Sequence, residues 1–225
     1  MRPLACTWHW AATALAPALP LYLRRRARRG KEDPARLAER FGAGAARPPG
    51  SLLWLHAASV GETLSILPLL EALGAAAPGL SFLVTTGTLT SATLLGRRLP
   101  PGLALRVAHR FVPLDVPAWV ARFLDGWRPD AAVFVESELW PNLIAAADRR
   151  GIPLALVNGR MSPASGRWWR RAPGLARKVL APFRLALAQT EADAARFRAA
   201  GAPAQCWGNL KYAAPPLPAD GVELA

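Results

Sequence analysis

The chain has 225 residues, 52% of them hydrophobic and 19% charged. That length suits one large domain or two small ones, and the composition excludes global disorder. The only cysteines are Cys6 and Cys206, which excludes a disulfide framework and a cysteine-built zinc site. His9, His56 and His109 lack ligand spacing, so no metal or other cofactor is expected. The net charge of +13 is concentrated in two places: residues 1–30 hold six arginines and no acid, and residues 160–184 hold six arginines and one lysine, again with no acid. These patches suit an anionic partner such as phospholipid, phosphorylated glycolipid or nucleic acid.

In chain order, Leu4–Leu23 carries no full charge and is about long enough to cross a bilayer, which takes roughly 20 apolar residues. Arg24, Arg25, Arg26, Arg28 and Arg29 follow at once, a bias that places this flank on the cytoplasmic side. Residues 1–30 are therefore expected to form a membrane helix with a basic flank. Pro17 and Pro20 keep an interfacial helix open as the alternative, and a buried helix is the plainer one. Residues 31–50, ending in Arg47-Pro48-Pro49-Gly50, are expected to be a linker.

From 51 to 212 short apolar runs alternate with helical patterns. Strands are expected at Leu52–His56, Ser81–Thr85, Ala131–Val135, Leu154–Val157 and Leu185–Gln189. Helices are expected at Thr63–Ala77, Ser91–Leu99, Trp119–Trp127, Leu139–Arg150 and Ala192–Ala200. This alternation predicts an α/β fold with a doubly wound parallel sheet. Residues 213–225, rich in proline and alanine, are expected to be a linker or tail.

Ligands of such sheets bind beyond the carboxyl ends of the strands. Polar groups fall there: Ser59, Gly61 and Glu62 after the first strand, Thr85, Thr86 and Thr88 after the second, Glu136 and Glu138 after Ala131–Val135. Glu62 follows a glycine and opens a helix, where it could serve as a general base or simply as a first-turn glutamate. Glu136 and Glu138 would share a side if the strand continued, and could then shift one another's pKa; the alternative is an acidic pair before a helix. Asn158 and Arg160, in Asn158-Gly159-Arg160, could hold an anion or orient a sugar, or form a turn. Arg170 and Arg171 lie beside Trp168 and Trp169, a mixture that suits phosphate and acyl chains or stacked bases, or a solvated helix face. Lys211 alone reads as a surface lysine.

Together these motifs resemble the 3-deoxy-D-manno-octulosonic acid (Kdo) transferases of lipopolysaccharide assembly. The resemblance rests on His56-Ala57-Ala58-Ser59-Val60-Gly61-Glu62, Val84-Thr85-Thr86-Gly87-Thr88 and Glu136-Ser137-Glu138-Leu139-Trp140-Pro141-Asn142-Leu143-Ile144. It extends through Asn158-Gly159-Arg160-Met161-Ser162, Ala188-Gln189-Thr190-Glu191 and Gly208-Asn209-Leu210-Lys211. It implies the Rossmann-like, acceptor-binding N-terminal half of a GT-B glycosyltransferase at the cytoplasmic face of the bacterial inner membrane. The implied reaction is inverting transfer of Kdo from CMP-Kdo to a bisphosphorylated lipid A precursor without an essential metal. Glu62 matches the proton acceptor, and Glu136 and Lys211 match positions that stabilise the transition state. Ser137 and Met161 depart mildly from the pattern. The family has a second, nucleotide-sugar domain, so the chain is expected to be the acceptor half, with the donor domain absent and inactive by itself. The alternatives are a non-catalytic, membrane-attached glycolipid-binding module and, on charge alone, a nucleic-acid binder, for which no base-reading module is present.

Overall fold

The computed structural model describes residues 3–213, with the side chains of residues 3–6, 211 and 213 outside the description. Seven strands, β1 (Leu52–His56), β2 (Ser81–Thr86), β3 (Val107–Phe111), β4 (Ala131–Val135), β5 (Leu154–Gly159), β6 (Phe183–Ala188) and β7 (Ala204–Cys206), form one parallel sheet. Their spatial order is β3-β2-β1-β4-β5-β6-β7. This is the doubly wound arrangement, in which the order reverses between β1 and β4.

Nine α-helices accompany the strands among the described residues. α1 (Pro3–Leu15) and α2 (Leu19–Arg28) precede the sheet. α3 (Val60–Ala76) and α4 (Leu89–Arg98) follow β1 and β2, and α5 (Pro117–Trp127), α6 (Pro141–Arg149), α7 (Pro163–Arg171), α8 (Pro173–Leu180) and α9 (Glu191–Ala199) come after β3, β4, β5 and β6. Successive strand residues point to opposite faces, so each strand feeds two cores. Leu53, Leu55, Phe82 and Val84 meet Ile66 and Leu70 of α3 on one side. Leu52, Trp54, Leu83 and Phe134 meet Phe123, Ile144, Val179 and Phe197 on the other.

The apolar amino terminus is two short helices rather than one long one, and no helix of the described residues is long and apolar enough to cross a membrane. This corrects the expected membrane helix. Pro17 has no N–H to continue the ladder, and the chain closes tight turns instead, with Ala16 N–H donating to Thr13 O and Ala18 N–H to Leu15 O. α1 then lies against α5, α6 and α8, and Leu23 of α2 is buried.

Residues 31–50, expected as a linker, include a 3-10 helix at Pro34–Phe41, opened by Asp33, whose side chain accepts from Ala35 N–H. Arg40, 4% exposed, pairs with the equally buried Glu32 at 3.0 Å. Its remaining N–H groups donate to Gly87 O and Val112 O, which ties this segment to the ends of β2 and β3. The expected tail lies outside the described residues beyond Ala213.

Gly42 closes the 3-10 helix with φ 73°, and a Cβ there would collide with the Trp119 carbonyl oxygen. Replacing Gly42 by alanine adds a methyl in a left-handed conformation against fixed backbone. It should lower unfolding free energy by about 2–3 kcal/mol, read from the denaturant midpoint. An unchanged midpoint would show that this segment is not clamped against α5.

Candidate functional site

The reversal of strand order opens a crevice at the carboxyl ends of β1 and β4, where the chain departs to opposite faces of the sheet. From β1 it enters α3 through Ala57–Ser59. Ser59 is the helix cap, accepting from Glu62 N–H, and its own hydroxyl donates to Glu62 Oε1 at 2.7 Å. Ala58 N–H donates to Glu62 Oε2 at 2.8 Å. The sequence Ser-x-x-Glu is a capping box, which folds the carboxylate back over the end of β1. Glu62 is 6% exposed. Burial pushes its carboxyl above the usual range, the bonds from Ser59 and Ala58 pull it down, and the charges of Glu138 and Glu136 push it up again.

β4 stops at Val135, and Glu136 takes a left-handed φ of 57°. Of the two readings of Glu136 and Glu138, the continued strand is not the one found: a turn separates them before α6. Glu138 folds towards β1, where its Oε2 accepts from Trp140 Nε1 at 2.8 Å and lies 3.7 Å from His56 Nε2. Burial alone would raise the Glu138 carboxyl, but the facing His56 ring and the Trp140 N–H outweigh it and hold it below the usual range.

His56 is fully buried, and its Nε2 has no hydrogen-bond partner. Trp54 Nε1, which can only donate, uses one lone pair of Thr85 Oγ1 at 2.8 Å. Thr85 Oγ1 lies 3.0 Å from His56 Nδ1 and 3.5 Å from Leu55 O. Nδ1 also lies 3.3 Å from the Thr85 carbonyl oxygen, so Thr85 holds the ring with Nε2 facing Glu138.

Asn158, at the end of β5, also has a positive φ of 54°, which asparagine tolerates well. Its side-chain oxygen accepts from Leu210 N–H at 3.0 Å, and its amide approaches Glu136 Oε1 at 3.4 Å. The Asn158 side chain thus fastens the Lys211 segment to the carboxyl end of β5. The side chain of Lys211 itself lies outside the described residues.

Thr85 and Thr86 are buried, with both hydroxyls engaged inside the protein. Of the expected threonines only Thr88 reaches the surface, as the cap of α4 that accepts from Ser91 N–H. Gly87 holds the neighbouring loops together, its N–H donating to Ala58 O. Arg160 is exposed beside Ser137, whose hydroxyl donates to the Arg160 carbonyl. Arg170 and Arg171 are exposed in the last turn of α7, away from the Glu62 carboxylate loop in sequence but on the helix that carries Trp168 and Trp169.

Sequence reasoning missed Asp115, Arg40 and the supporting role of His109. Asp115 Oδ1 and Oδ2 accept from Leu143 N–H and Asn142 N–H at the start of α6 and from Trp8 Nε1. Burial nonetheless pushes its carboxyl up to about 6, against the pull of those bonds. Its one sequence signal is a lone charge inside Val112-Pro113-Leu114-Asp115-Val116. Among the described residues no group of three or more His, Cys, Asp or Glu could hold a metal ion.

His109 lies under the Thr86 loop. Arg36 has only protons to give, so His109 Nδ1 accepts from it at 2.9 Å and Nε2–H donates to Thr86 Oγ1 at 2.9 Å. Burial, then Arg36, Arg110 and Arg40, lower its pKa to about 3. An ordinary histidine in the unfolded chain protonates near 6.5. The stability that neutral His109 confers is thus complete above about pH 6.5 and is lost as pH falls towards about 3. Acid titration of unfolding free energy should show a smaller loss over that window in His109→Gln than in the natural chain. Equal losses would mean that His109 does not stay neutral in the fold.

Residues 35–214 match the N-terminal glycosyltransferase family described as 3-deoxy-D-manno-octulosonic-acid transferase (kdotransferase). A protein of Arabidopsis thaliana named as a probable mitochondrial 3-deoxy-D-manno-octulosonic acid transferase is 39% identical over 88% of this chain and 45% of its own length. The Rickettsia bellii 3-deoxy-D-manno-octulosonic acid transferase is 37% identical over 87% of this chain and 46% of its own length. The chain thus spans about half the length of these curated relatives. Among solved structures, Anabaena HepE in complex with UDP and glucose aligns with 71% of the chain and 44% of its own, at 17% identity and a TM-score of 0.48.

Proposed function

Since the chain belongs to the 3-deoxy-D-manno-octulosonic acid (Kdo) transferase family, we propose that it forms the acceptor-binding side of an inverting Kdo transferase, with CMP-Kdo as donor and an anionic lipid A precursor as acceptor. In this reading an acceptor hydroxyl enters the crevice between β1 and β4. Its oxygen bonds to the anomeric carbon of Kdo, the bond to CMP breaks, CMP leaves with the electron pair, and the hydroxyl proton passes to Glu62. The observation that carries the reading is the Glu62 carboxylate, held at the strand-order reversal and pushed above the ordinary carboxylate range. A raised pKa makes a better base, and such a base is typically worth about 10²–10⁴ in rate.

Glu136 and Lys211 are assigned to the transition state, where Asn158 brings their segments together. Glu138, Ser59, Gly61 and Thr88 border the acceptor, while Thr85 and Thr86 support the loops from below. Arg160, Arg170 and Arg171 meet its phosphates. Exposed Trp10, Leu15 and Leu21, beside Arg24, Arg25, Arg28 and Arg29, favour interfacial attachment at the cytoplasmic face of a bacterial inner membrane.

One observation favours a second reading, a glycolipid-binding module without catalysis. Both Glu62 oxygens already have partners in the capping box, which is what a purely structural glutamate would show. Glutamine separates the two readings, because its oxygen can still accept from Ala58 N–H and its amide can donate to Ser59 Oγ, but it cannot take a proton. In the chain joined to the part of the Rickettsia bellii relative that it does not cover, Glu62→Gln should cut Kdo transfer by at least about a hundredfold. Thermal stability and lipid binding should change little. Near-normal transfer would leave Glu62 as a cap alone.

A further inference from the structure

The inference concerns α1 and rests on the lipid acceptor proposed above. α1 is docked through Trp8, whose Nε1 donates to Asp115 Oδ2 at 2.7 Å. Between α1 and the α7–α8 pair it leaves an open groove of about 430 Å³. Trp8, Ala11, Trp140, Trp168, Trp169 and Leu175 line it, and no charged residue does. Its size falls within the roughly 300–1,000 Å³ of ordinary ligand clefts.

The polar edges of two of these rings are turned away from the groove. Trp8 gives its N–H to Asp115 and Trp140 gives its own to Glu138. Both rings therefore offer apolar surface, and Trp8 and Trp168 remain 42% and 51% exposed. The groove shares Trp168 and Trp169 with a second hollow of about 320 Å³, which Ser137, Arg160 and Met161 also line. That hollow opens at the carboxyl ends of β4 and β5, next to Glu136 and Glu138. The two hollows thus adjoin across Trp168 and Trp169, the uncharged groove on the α1 side and a more polar one, with Arg160 in its lining, at the strand ends. Arg167, Arg170 and Arg171 sit on the helix that supplies Trp168 and Trp169, and residues 160–184 contain no acid to neutralise them.

We propose that this groove holds one fatty acyl chain of an anionic glycolipid, with α1 as its outer wall and the arginines of Arg160–Arg171 meeting the phosphate. The occupant follows from the juxtaposition. The groove offers ring faces and aliphatic surface without a charge, and the cationic rim beside it suits a ligand that is both apolar and anionic. α1 then belongs to the binding site, and its tryptophan touches the lipid chain directly.

The test uses the whole 225-residue chain and monomeric myristoyl lysophosphatidate, with glycerol 3-phosphate as the same headgroup without the chain, both followed by calorimetry. Each methylene taken out of water multiplies affinity by roughly four, so the acylated probe should bind at least about a hundredfold more tightly. Binding should saturate at one probe per protein. Ala11→Trp fills the groove from α1 and Trp168→Ala removes the opposite wall; each should weaken the acylated probe roughly tenfold. Trp168 is half exposed, so its variant decides the matter if Ala11→Trp does not fold. Unchanged affinity in Trp168→Ala and in folded Ala11→Trp would overturn the proposal, as would equal affinity for the two probes or capture only by vesicles without saturation. If those results came with normal Kdo transfer in the joined enzyme, the groove alone would fall. Loss of acyl affinity in both variants, with no transfer by the joined enzyme, would keep the groove and remove the catalytic reading.

Discussion

The whole site depends on one topological constraint: in a parallel sheet whose order runs β3-β2-β1-β4-β5-β6-β7, the connections after β1 and β4 leave to opposite faces. No connection can then cover the gap between those two strand ends. Into it the chain delivers a carboxylate from each side, Glu62 from the start of α3 and Glu138 from the turn before α6. Both stand in a partly dry cleft, where a carboxylate's surroundings decide its proton affinity. They are driven apart, Glu62 upwards by burial and by its acidic neighbours, Glu138 downwards by the His56 ring and the Trp140 N–H in spite of burial. The same crevice thus holds one carboxyl with raised proton affinity and one with lowered proton affinity.

That tuning is held by groups that never reach the surface. Trp54 and Thr85 hold the buried His56 ring with its Nε2 facing Glu138. Arg40, balanced by Glu32, binds the carbonyls of Gly87 and Val112 and so fixes the loops after β2 and β3. Neutral His109, pinned between Arg36 and Thr86, supports the same loops. Breaking a buried pair by removing one partner leaves an uncompensated charge, so loss of Arg40 or Glu32 alone would be costly.

Much of this was legible in the sequence. Leu52–His56 and Ala131–Val135 have the expected bounds because both are central strands, buried on both faces, and such strands read as unbroken apolar runs. β3 escaped notice because its Val-Ala-His-Arg-Phe sequence belongs to an edge, where His109 meets Arg36 of the 3-10 segment and Arg110 lies over the Trp127 ring. α7 and α8 were hidden in a stretch that composition marks as a charged patch, and only their capping residues and prolines betray them. Glu62 could be picked out by its place after a strand, yet its partners could not be weighed. Thr85 and Thr86 stood in a site motif but spend their hydroxyls beneath the site. The docking of α1 was beyond local reading, since Trp8 and Asp115 are 107 residues apart and meet only in the folded chain. Hydropathy alone made that segment a membrane span, whereas Pro17 and the tertiary contact make it a wall of the domain.

The central claim is that the crevice between β1 and β4 and the tryptophan groove beside it form one acceptor site. Hydrogen–deuterium exchange of the 225-residue chain, with and without a phosphorylated, acylated glucosamine disaccharide, tests it most directly. The account predicts slowed exchange in residues 58–62, 86–88, 136–142 and 160–171 together with α1, and none at β7 or the far ends of the strands. Protection that spares the first and third of these segments, or that spreads evenly over the chain, would contradict it.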